Sequence, residues 1–235
     1  MIVVDIAVPA GRYGPERLDR IGREVAARLL TESDAVAPTV ASFREWTRVL
    51  VSEVPGWFAG EGEEPFGFTV TVTVPGLWRK EVTGHFIARV TEGLAAAVPE
   101  SADRIRREPA AWVQVVGVPE GGLGVYGRSV GSAELAELMS AGFRDAADRD
   151  GLVGRPPEGM SVDPTCGAIV PEDSVLTAVY GGVRFGYCCT DCRDAHAVRM
   201  STAGAMPESV EDVSLQQVTE SGPVELDPEL LRRHP

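Results

Sequence analysis

The residues of this chain best suited to chemistry are its four cysteines, which all lie between Cys166 and Cys192. Twenty-one residues separate Cys166 from Cys188, three separate Cys188 from Cys192, and the fourth thiol is that of Cys189. Thiolates are soft ligands that suit Zn²⁺, Cu⁺ or an iron–sulfur centre, so clustered cysteines without other secretory signs favour a metal site. A pair of disulfides and buried free thiols are the alternatives.

Three of these thiols are the predicted metal ligands: Cys166, Cys188 and Cys192. The i, i+4 spacing of the last two puts both on one face of a helix, about 6 Å apart along its axis. His196 continues that face about 12 Å from Cys188, so one ion reaches both only if Cys188 precedes the helix. We predict His196 as the fourth ligand, in competition with Cys189 and Asp163. An open fourth position would make the metal catalytic rather than structural.

Composition and charge narrow the class of protein. The chain has 235 residues, of which 44% are hydrophobic, enough for one large or two small domains. Its net charge of −13 argues against nucleic acid and anionic membranes as partners. The start of the chain has an acid, Asp5, inside its apolar run and no basic region, and no apolar run approaches the roughly 18 residues of a membrane span. We therefore expect a cytoplasmic protein with reduced thiols and a retained Met1.

The elements that must position these residues begin with a repeated pattern. Alternation of apolar and other residues over 2–8 and again over 68–74 predicts two half-buried strands. A helix is predicted after each strand, one from about Pro15 and one over 82–94. Two further strands are predicted at 48–55 and 112–119, a polar loop at 31–43 and a glycine-rich turn at 121–127.

Four prolines show that this pattern is an internal duplication. Pro9 and Pro75 lie 66 residues apart, and Pro55 and Pro119 lie 64 apart, in the same element order. Each β-α-β copy has parallel strands joined by a crossover helix. We therefore predict an α+β fold: a four-stranded sheet with two helices on one face. The other face would be uncovered, so a homo-oligomer is expected.

The rest of the chain is predicted to be smaller units. The duplicated domain spans 1–130, with copies at about 1–64 and 65–130, and a helix and linker follow over 131–159. Residues 160–200 form a small Cys-rich metal-binding domain, and 201–235 form an acidic tail. About 40 residues bury too little core alone, so the Cys-rich domain needs a metal or docking on the larger domain.

Residues 2–130 resemble the 4-oxalocrotonate tautomerase superfamily in its fused two-copy form. The likeness rests on a strand followed by Gly11-Arg12, a helix, a strand ending in Val-Pro and a glycine-rich hairpin, most clearly over 115–127. The resemblance implies a homotrimer of fused chains and a small carboxylate substrate bound by arginines. Arg12 and Arg48 match those positions and could grip a carboxylate bidentately.

The catalytic N-terminal proline of that family is missing, because its place falls on Ile2. An α-amino group has a pKa of about 7.7–8.0, so the amine of Met1 is the remaining base at that end of the strand. The second copy has lost both arginines, since Leu77 and Trp112 stand in their places.

The cysteine stretch resembles the YHS or TRASH-type metal-binding module. Asp163-Pro-Thr-Cys166-Gly matches its opening, the run from Tyr180 to Cys188 matches its tyrosine, glycine turn and aromatic-Cys, and the spacing to Cys192 agrees. The resemblance implies metal binding and leaves the function open.

Three functional hypotheses follow from these features. In the first, the protein is an enzyme for a small carboxylate-bearing substrate, and a metal replaces the lost proline. In the second, a catalytically inactive scaffold oligomerises a module that senses, stores or delivers metal. In the third, the zinc is purely structural. Zn²⁺ is the expected metal and Cu⁺ the alternative.

Overall fold

The structure is a computed structural model, and it describes residues 1–31, 36–58, 66–146, 151, 156–173 and 176–212. The first part of the chain contains β1 (Ile2–Pro9), α1 (Pro15–Thr31), α2 (Ala37–Glu45), β2 (Thr47–Val54), β3 (Phe68–Pro75), α3 (Arg79–Ala97), α4 (Ala102–Arg107) and β4 (Ala111–Val118). After these come β5 (Leu123–Val125), β6 (Arg128–Val130), α5 (Ser132–Arg144), β7 (Met160–Val162), β8 (Ile169–Pro171), β9 (Leu176–Tyr180), β10 (Val183–Gly186), α6 (Thr190–Thr202) and β11 (Ser209–Asp212).

The four long strands form one sheet in the order β2-β1-β3-β4. β1 is parallel to β2, β3 is parallel to β4, and the two copies meet where β1 pairs antiparallel with β3. Helices α1 and α3 pack against each other over this sheet. The predicted fold class, a duplicated β-α-β unit with a four-stranded sheet, is confirmed.

Alternation along the strands decides which sheet face becomes the core. Val4, Ile6, Val70 and Val72 are fully buried under the helices, as a period of two requires. The helices approach closely because α3 has Gly93 where it crosses α1: a Cβ at this position would lie 2.7 Å from the Cα of Val25.

The opposite face of the sheet, which we call the open face, has no helix over it in the described part of the chain. It presents apolar side chains at both edges: Leu50 is 51% exposed, Trp112 is 70% exposed and Val116 is 43% exposed. Polar side chains lie between them, including Thr71, whose hydroxyl accepts a hydrogen bond from the Gln114 amide at 2.8 Å.

One sequence expectation about the first copy was wrong. Residues 31–43 were expected to form a polar loop, but α2 occupies much of that stretch, with Pro38 in its first turn, where a missing N–H is tolerated. Helix α2 packs against α5. Its helical state therefore depends on a tertiary contact that its weakly patterned sequence does not show.

The Cys-rich part has its own small core and sheet. Strands β10, β9 and β11 form a three-stranded antiparallel sheet, and β7 pairs with β8 as a hairpin. Buried Ala178, Tyr180 and Tyr187 pack around Cys166 and Cys192. The predicted acidic tail, 201–235, includes the last residues of α6 and the strand β11, and residues 213–235 lie outside the described residues. Among the described helices, none has the length and apolar character to span a bilayer.

Candidate metal centre and adjoining cavity

Two chain segments bring three thiols and one carboxylate together. Cys166 comes from the turn between β7 and β8, whereas Cys188 and Cys192 flank the start of α6. The ligand atoms of these cysteines and of Asp163 all lie within 4.8 Å of one another. The three thiols predicted as metal ligands therefore lie close together, although Cys166 is distant from the other two in the sequence.

The thiol spacing suits a tetrahedral ion. The Cys188 sulfur lies 3.6 Å from that of Cys166 and 3.6 Å from that of Cys192. Tetrahedral zinc with bonds of about 2.3 Å to sulfur places its thiolates about 3.8 Å apart, so little movement would be needed. All four cysteines of the chain are free thiols, which excludes the disulfide alternative in this structure.

Asp163 joins the two cysteine segments. Its Oδ1 accepts a hydrogen bond from the Thr165 N–H at 2.7 Å, and its Oδ2 accepts one from the Cys188 N–H at 2.9 Å. The side chain is fully buried, and this burial raises the pKa of the carboxyl to about 7, with the neighbouring Cys166 adding to the rise. Each carboxylate oxygen has a further lone pair, so Asp163 remains a candidate ligand as well as a structural link.

Neighbouring thiols, and after them backbone N–H groups, lower the pKa of two of the cysteines, whereas contacts among the same thiols raise the pKa of Cys188 and that of Cys192. Hydrogen bonds from Cys188, Cys192 and the Ala168 N–H lower the pKa of Cys166. Cys189, at the N-cap of α6, has its pKa lowered by Cys188, by Cys192 and by N–H groups of the first helical turn. Such N–H donors favour the thiolate form that binds metal.

The structure does not bring His196 to the thiols. Its Nδ1 lies 2.7 Å from the Tyr187 hydroxyl, and the ring is packed edge-on against Tyr180 and Phe185. Burial lowers the pKa of this imidazole to about 4. His196 lies about one helical turn beyond Cys192 and belongs to the core of the Cys-rich part, so Cys189 and Asp163 remain for the fourth position.

Helices α2 and α5 hold the cysteine segments against the sheet domain. The Thr39 hydroxyl of α2 donates a hydrogen bond of 2.6 Å to the carbonyl of Cys166. Gly167 has a φ of +75°, and a Cβ there would lie 2.8 Å from Phe143 of α5. Arg199 of α6 forms an ion pair with Glu137 of α5. Docking on the larger domain, predicted from the small size of this part, is therefore observed.

A cavity of about 410 Å³ separates the thiols from the sheet domain. All four cysteines line it, together with Ile2 at the start of β1. The remaining lining residues come mainly from α1, α2, α3 and α5 and are mostly apolar: Leu29, Leu30, Thr39, Val40, Phe43, Thr47, Trp78, Val82, His85, Phe86, Ala136, Met139, Ser140, Ala168 and Ile169. A metal held by the thiols would therefore face an apolar space.

The N-terminal amine lies near one wall of this cavity. The Met1 amino group donates a hydrogen bond of 3.3 Å to the sulfur of Met139, a lining residue. Burial lowers the pKa of this amine to about 5, so it is neutral at pH 7. A neutral amine is the form that can accept a proton.

The two predicted carboxylate-binding arginines are far apart within one chain. Arg48 pairs with Val3 near the start of β1, and Arg12 follows the end of that strand, roughly 20 Å away at the rise of a β-strand. Arg48 donates hydrogen bonds to the carbonyls of Glu45 and Thr47, and the Arg12 guanidinium lies over the Phe66 ring. Neither arginine lines the cavity.

Sequence reasoning missed the residues that enclose the cavity from the sheet side. Trp78 precedes α3, and Met139 and Ser140 lie on α5. The apolar stripe of α5 gave a usable signal, because Leu135, Ala136, Met139 and Phe143 are spaced three or four residues apart and all are buried. The sequence did not predict which elements this apolar stripe of α5 packs against.

The sequence matches no protein-family model and no curated protein. A native fused 4-OT is 19% identical, with 54% of this chain and 94% of that chain covered and a TM-score of 0.41. The Q0 fused 4-OT, a wild-type symmetric trimer, is 12% identical over 54% and 93%, with a TM-score of 0.41. N1, a member of the cis-3-chloroacrylic acid dehalogenase family, is 17% identical over 55% and 82%, with a TM-score of 0.40. Each likeness covers about half of this chain, and at these values none informs its activity.

Proposed function

We propose that this protein is a tautomerase-like metalloenzyme. It acts on a small molecule and does not use an N-terminal proline as its catalytic residue. The observation that supports this proposal is the position of the thiols: all four line a cavity that also reaches the start of β1. A metal bound there would supply a Lewis acid beside a space of small-molecule size. Zn²⁺ is the proposed metal, and Cu⁺ is the alternative that thiolates also suit.

The chain's own groups have distinct roles in this proposal. Cys166, Cys188 and Cys192 hold the ion, and Asp163 fixes the relative position of the two segments that supply them. The neutral Met1 amine, which contacts the lining residue Met139, is available as a proton acceptor. The lining of the space beside the thiols is mostly apolar.

In this proposal, binding of a carboxylate substrate depends on assembly into a trimer. Arg12 and Arg48 cannot grip one carboxylate within a chain, so that role requires a neighbouring copy to bring its arginine to the site. A homotrimer built on the open face is the proposed assembly, and a cytoplasmic location, where thiols stay reduced, is the proposed setting.

A second candidate function is non-catalytic metal binding for sensing, storage or delivery. The observation that favours it is the surplus of donors, since both Cys189 and Asp163 adjoin the three predicted ligands. Four protein ligands would close the coordination sphere and make the ion structural or transported cargo.

Metal content tests the site that both functions share. We expect one Zn²⁺ or copper ion per chain in reduced, reconstituted protein and a large loss in Cys192→Ser, because a soft donor is removed from a part of the molecule with little core. Ser201→Ala, an exposed change on the same helix, is the matched control and should retain the metal. Equal metal in wild type and Cys192→Ser would show that the thiols are not the site.

The ligand count separates the two functions. Co²⁺ substituted into the site absorbs visible light with an intensity and thiolate charge-transfer pattern that depend on the number of sulfurs and on any open position. A three-thiolate spectrum that changes when a small exogenous ligand is added supports the enzyme. A four-thiolate spectrum that no added ligand perturbs supports the non-catalytic protein.

A further inference from the structure

The cavity beside the thiols has a lining whose polarity defines what it can bind. No lysine, arginine, aspartate or glutamate is among its described lining residues. The Met1 amine near its wall is uncharged at neutral pH. Within one chain, the exposed His85 of α3 is therefore the one basic side chain among the described lining residues.

The metal site makes the cavity still less suitable for an anion. Three thiolates around Zn²⁺ leave a net charge of −1, and a fourth thiolate or carboxylate leaves about −2. With Cu⁺ the excess of negative charge is larger by one. This net negative charge disfavours an anionic ligand beside the thiols.

The hydroxyl groups of the lining already donate their hydrogen bonds to carbonyl groups of the protein. Thr39 donates to the carbonyl of Cys166 at 2.6 Å, Thr47 to that of Phe43 at 2.7 Å and Ser140 to that of Ala136 at 2.7 Å. None of these three hydroxyls is left to donate to a ligand.

Trp78 provides the donor that the hydroxyls do not. It lines the cavity, it is only 8% exposed, and its indole N–H is buried without a hydrogen-bond partner among the described residues. A buried N–H left unpaired costs free energy, and a buried indole N–H usually has a hydrogen-bond partner.

We propose that this cavity binds a small, uncharged, largely apolar molecule with one hydrogen-bond acceptor, such as a ketone oxygen, which receives the Trp78 indole N–H. This inference goes beyond the proposed function, because it concerns a ligand of the cavity other than the carboxylate substrate, and it shares with that function only the wall formed by the thiols. The ligand differs in charge from the carboxylate that the arginines would bind between copies.

Three probes of similar shape test the class of ligand. Benzylacetone carries a ketone, hydrocinnamate carries a carboxylate in the same place, and propylbenzene has no acceptor. Calorimetric titration of each into the zinc-loaded full-length protein at neutral pH should show binding of benzylacetone and at least tenfold weaker binding of hydrocinnamate.

Two variants locate the binding. Trp78→Phe keeps a ring but removes the N–H, so it should weaken benzylacetone by roughly three- to tenfold and leave propylbenzene unchanged. Trp57→Phe removes another buried indole N–H without a partner among the described residues, at a position that does not line the cavity, so it is the matched control and should bind all three probes as the wild type does. Val40→Phe fills the cavity and should abolish binding of both neutral probes.

The outcomes separate this inference from the metal function. Zinc bound by the wild type without any binding of benzylacetone overturns the inference and leaves the metal site standing. Benzylacetone bound by a protein that takes up no zinc upholds the inference and overturns the metal function. Hydrocinnamate bound more tightly than benzylacetone and lost with the cavity-filling Val40→Phe, or benzylacetone unaffected by Trp78→Phe in a correctly folded variant, also overturns the inference.

Discussion

Among single residues, His196 shows how its surroundings alone decide what a titratable side chain does. Its position on α6 suggested a metal ligand, but its ring is only 7% exposed, and it bonds to Tyr187 inside an aromatic cluster. Burial in such surroundings disfavours the imidazolium, which is why its pKa falls to about 4. The buried position of His196 should therefore make the stability of the folded protein depend on pH in the acid range.

We predict that His196 lowers the stability of the protein as the pH falls from 6.5 towards 4. The unfolded imidazole, with a pKa of 6.5, takes up a proton over that window, whereas the folded one does not until about pH 4. The loss should reach about 2 kcal/mol at pH 5. His196→Asn, which retains a group near Tyr187 but does not titrate, should therefore unfold in urea with less dependence on pH.

The control for this change is Ser201→Ala, an exposed substitution on the same helix that removes no titratable group and should keep the wild-type pH dependence. Asp163 titrates in the opposite sense, because its raised pKa favours protonation in the folded state. Comparing each variant with the wild type at pH 7.5 and pH 5 cancels that contribution. Identical pH dependence in His196→Asn and wild type would contradict the prediction.

At the scale of elements, the contact of α1 with α3 depends on a glycine. We predict that Gly93→Ala destabilises the protein by about 1–3 kcal/mol, because the new methyl group would meet the Val25 backbone at 2.7 Å and force the helices apart. Gly84→Ala, on the same helix, meets nothing within 4 Å and should stabilise by up to about 1 kcal/mol through helix propensity. Thermal unfolding of both variants checks the pair, and a stabilising Gly93→Ala would show that the helices are not so close.

Elements with strong periodicity were predictable, and those that depend on contacts were not. The alternating strands around Val4 and Val72 have one buried face, so their pattern gave the sheet and the duplication. Helix α2 has little pattern of its own and is held by α5. The thiols of Cys188 and Cys192 were predictable because their spacing is local, whereas the neighbours of His196 depend on how a strand 16 residues earlier packs.

At the scale of the whole molecule, the open face is the feature that a single chain leaves unexplained. Leu50, Trp112 and Val116 are large apolar side chains at 43–70% exposure on one sheet surface. Apolar surface of this kind commonly marks a contact between subunits. A second copy would also be the way to place an Arg12 beside an Arg48.

We predict a homotrimer in solution at micromolar concentration. Light scattering should give three times the chain mass of 25.0 kDa, and Trp112→Glu should shift the mass towards the monomer, because a charge on the open face would be buried unpaired in the contact. Val198→Glu, at an exposed apolar position on α6, should leave the mass unchanged.

Since each chain carries a net charge of −13, added salt should strengthen the trimer by screening repulsion between the chains. A wild-type mass of one chain at every salt concentration would contradict the assembly, and with it the carboxylate role of the two arginines.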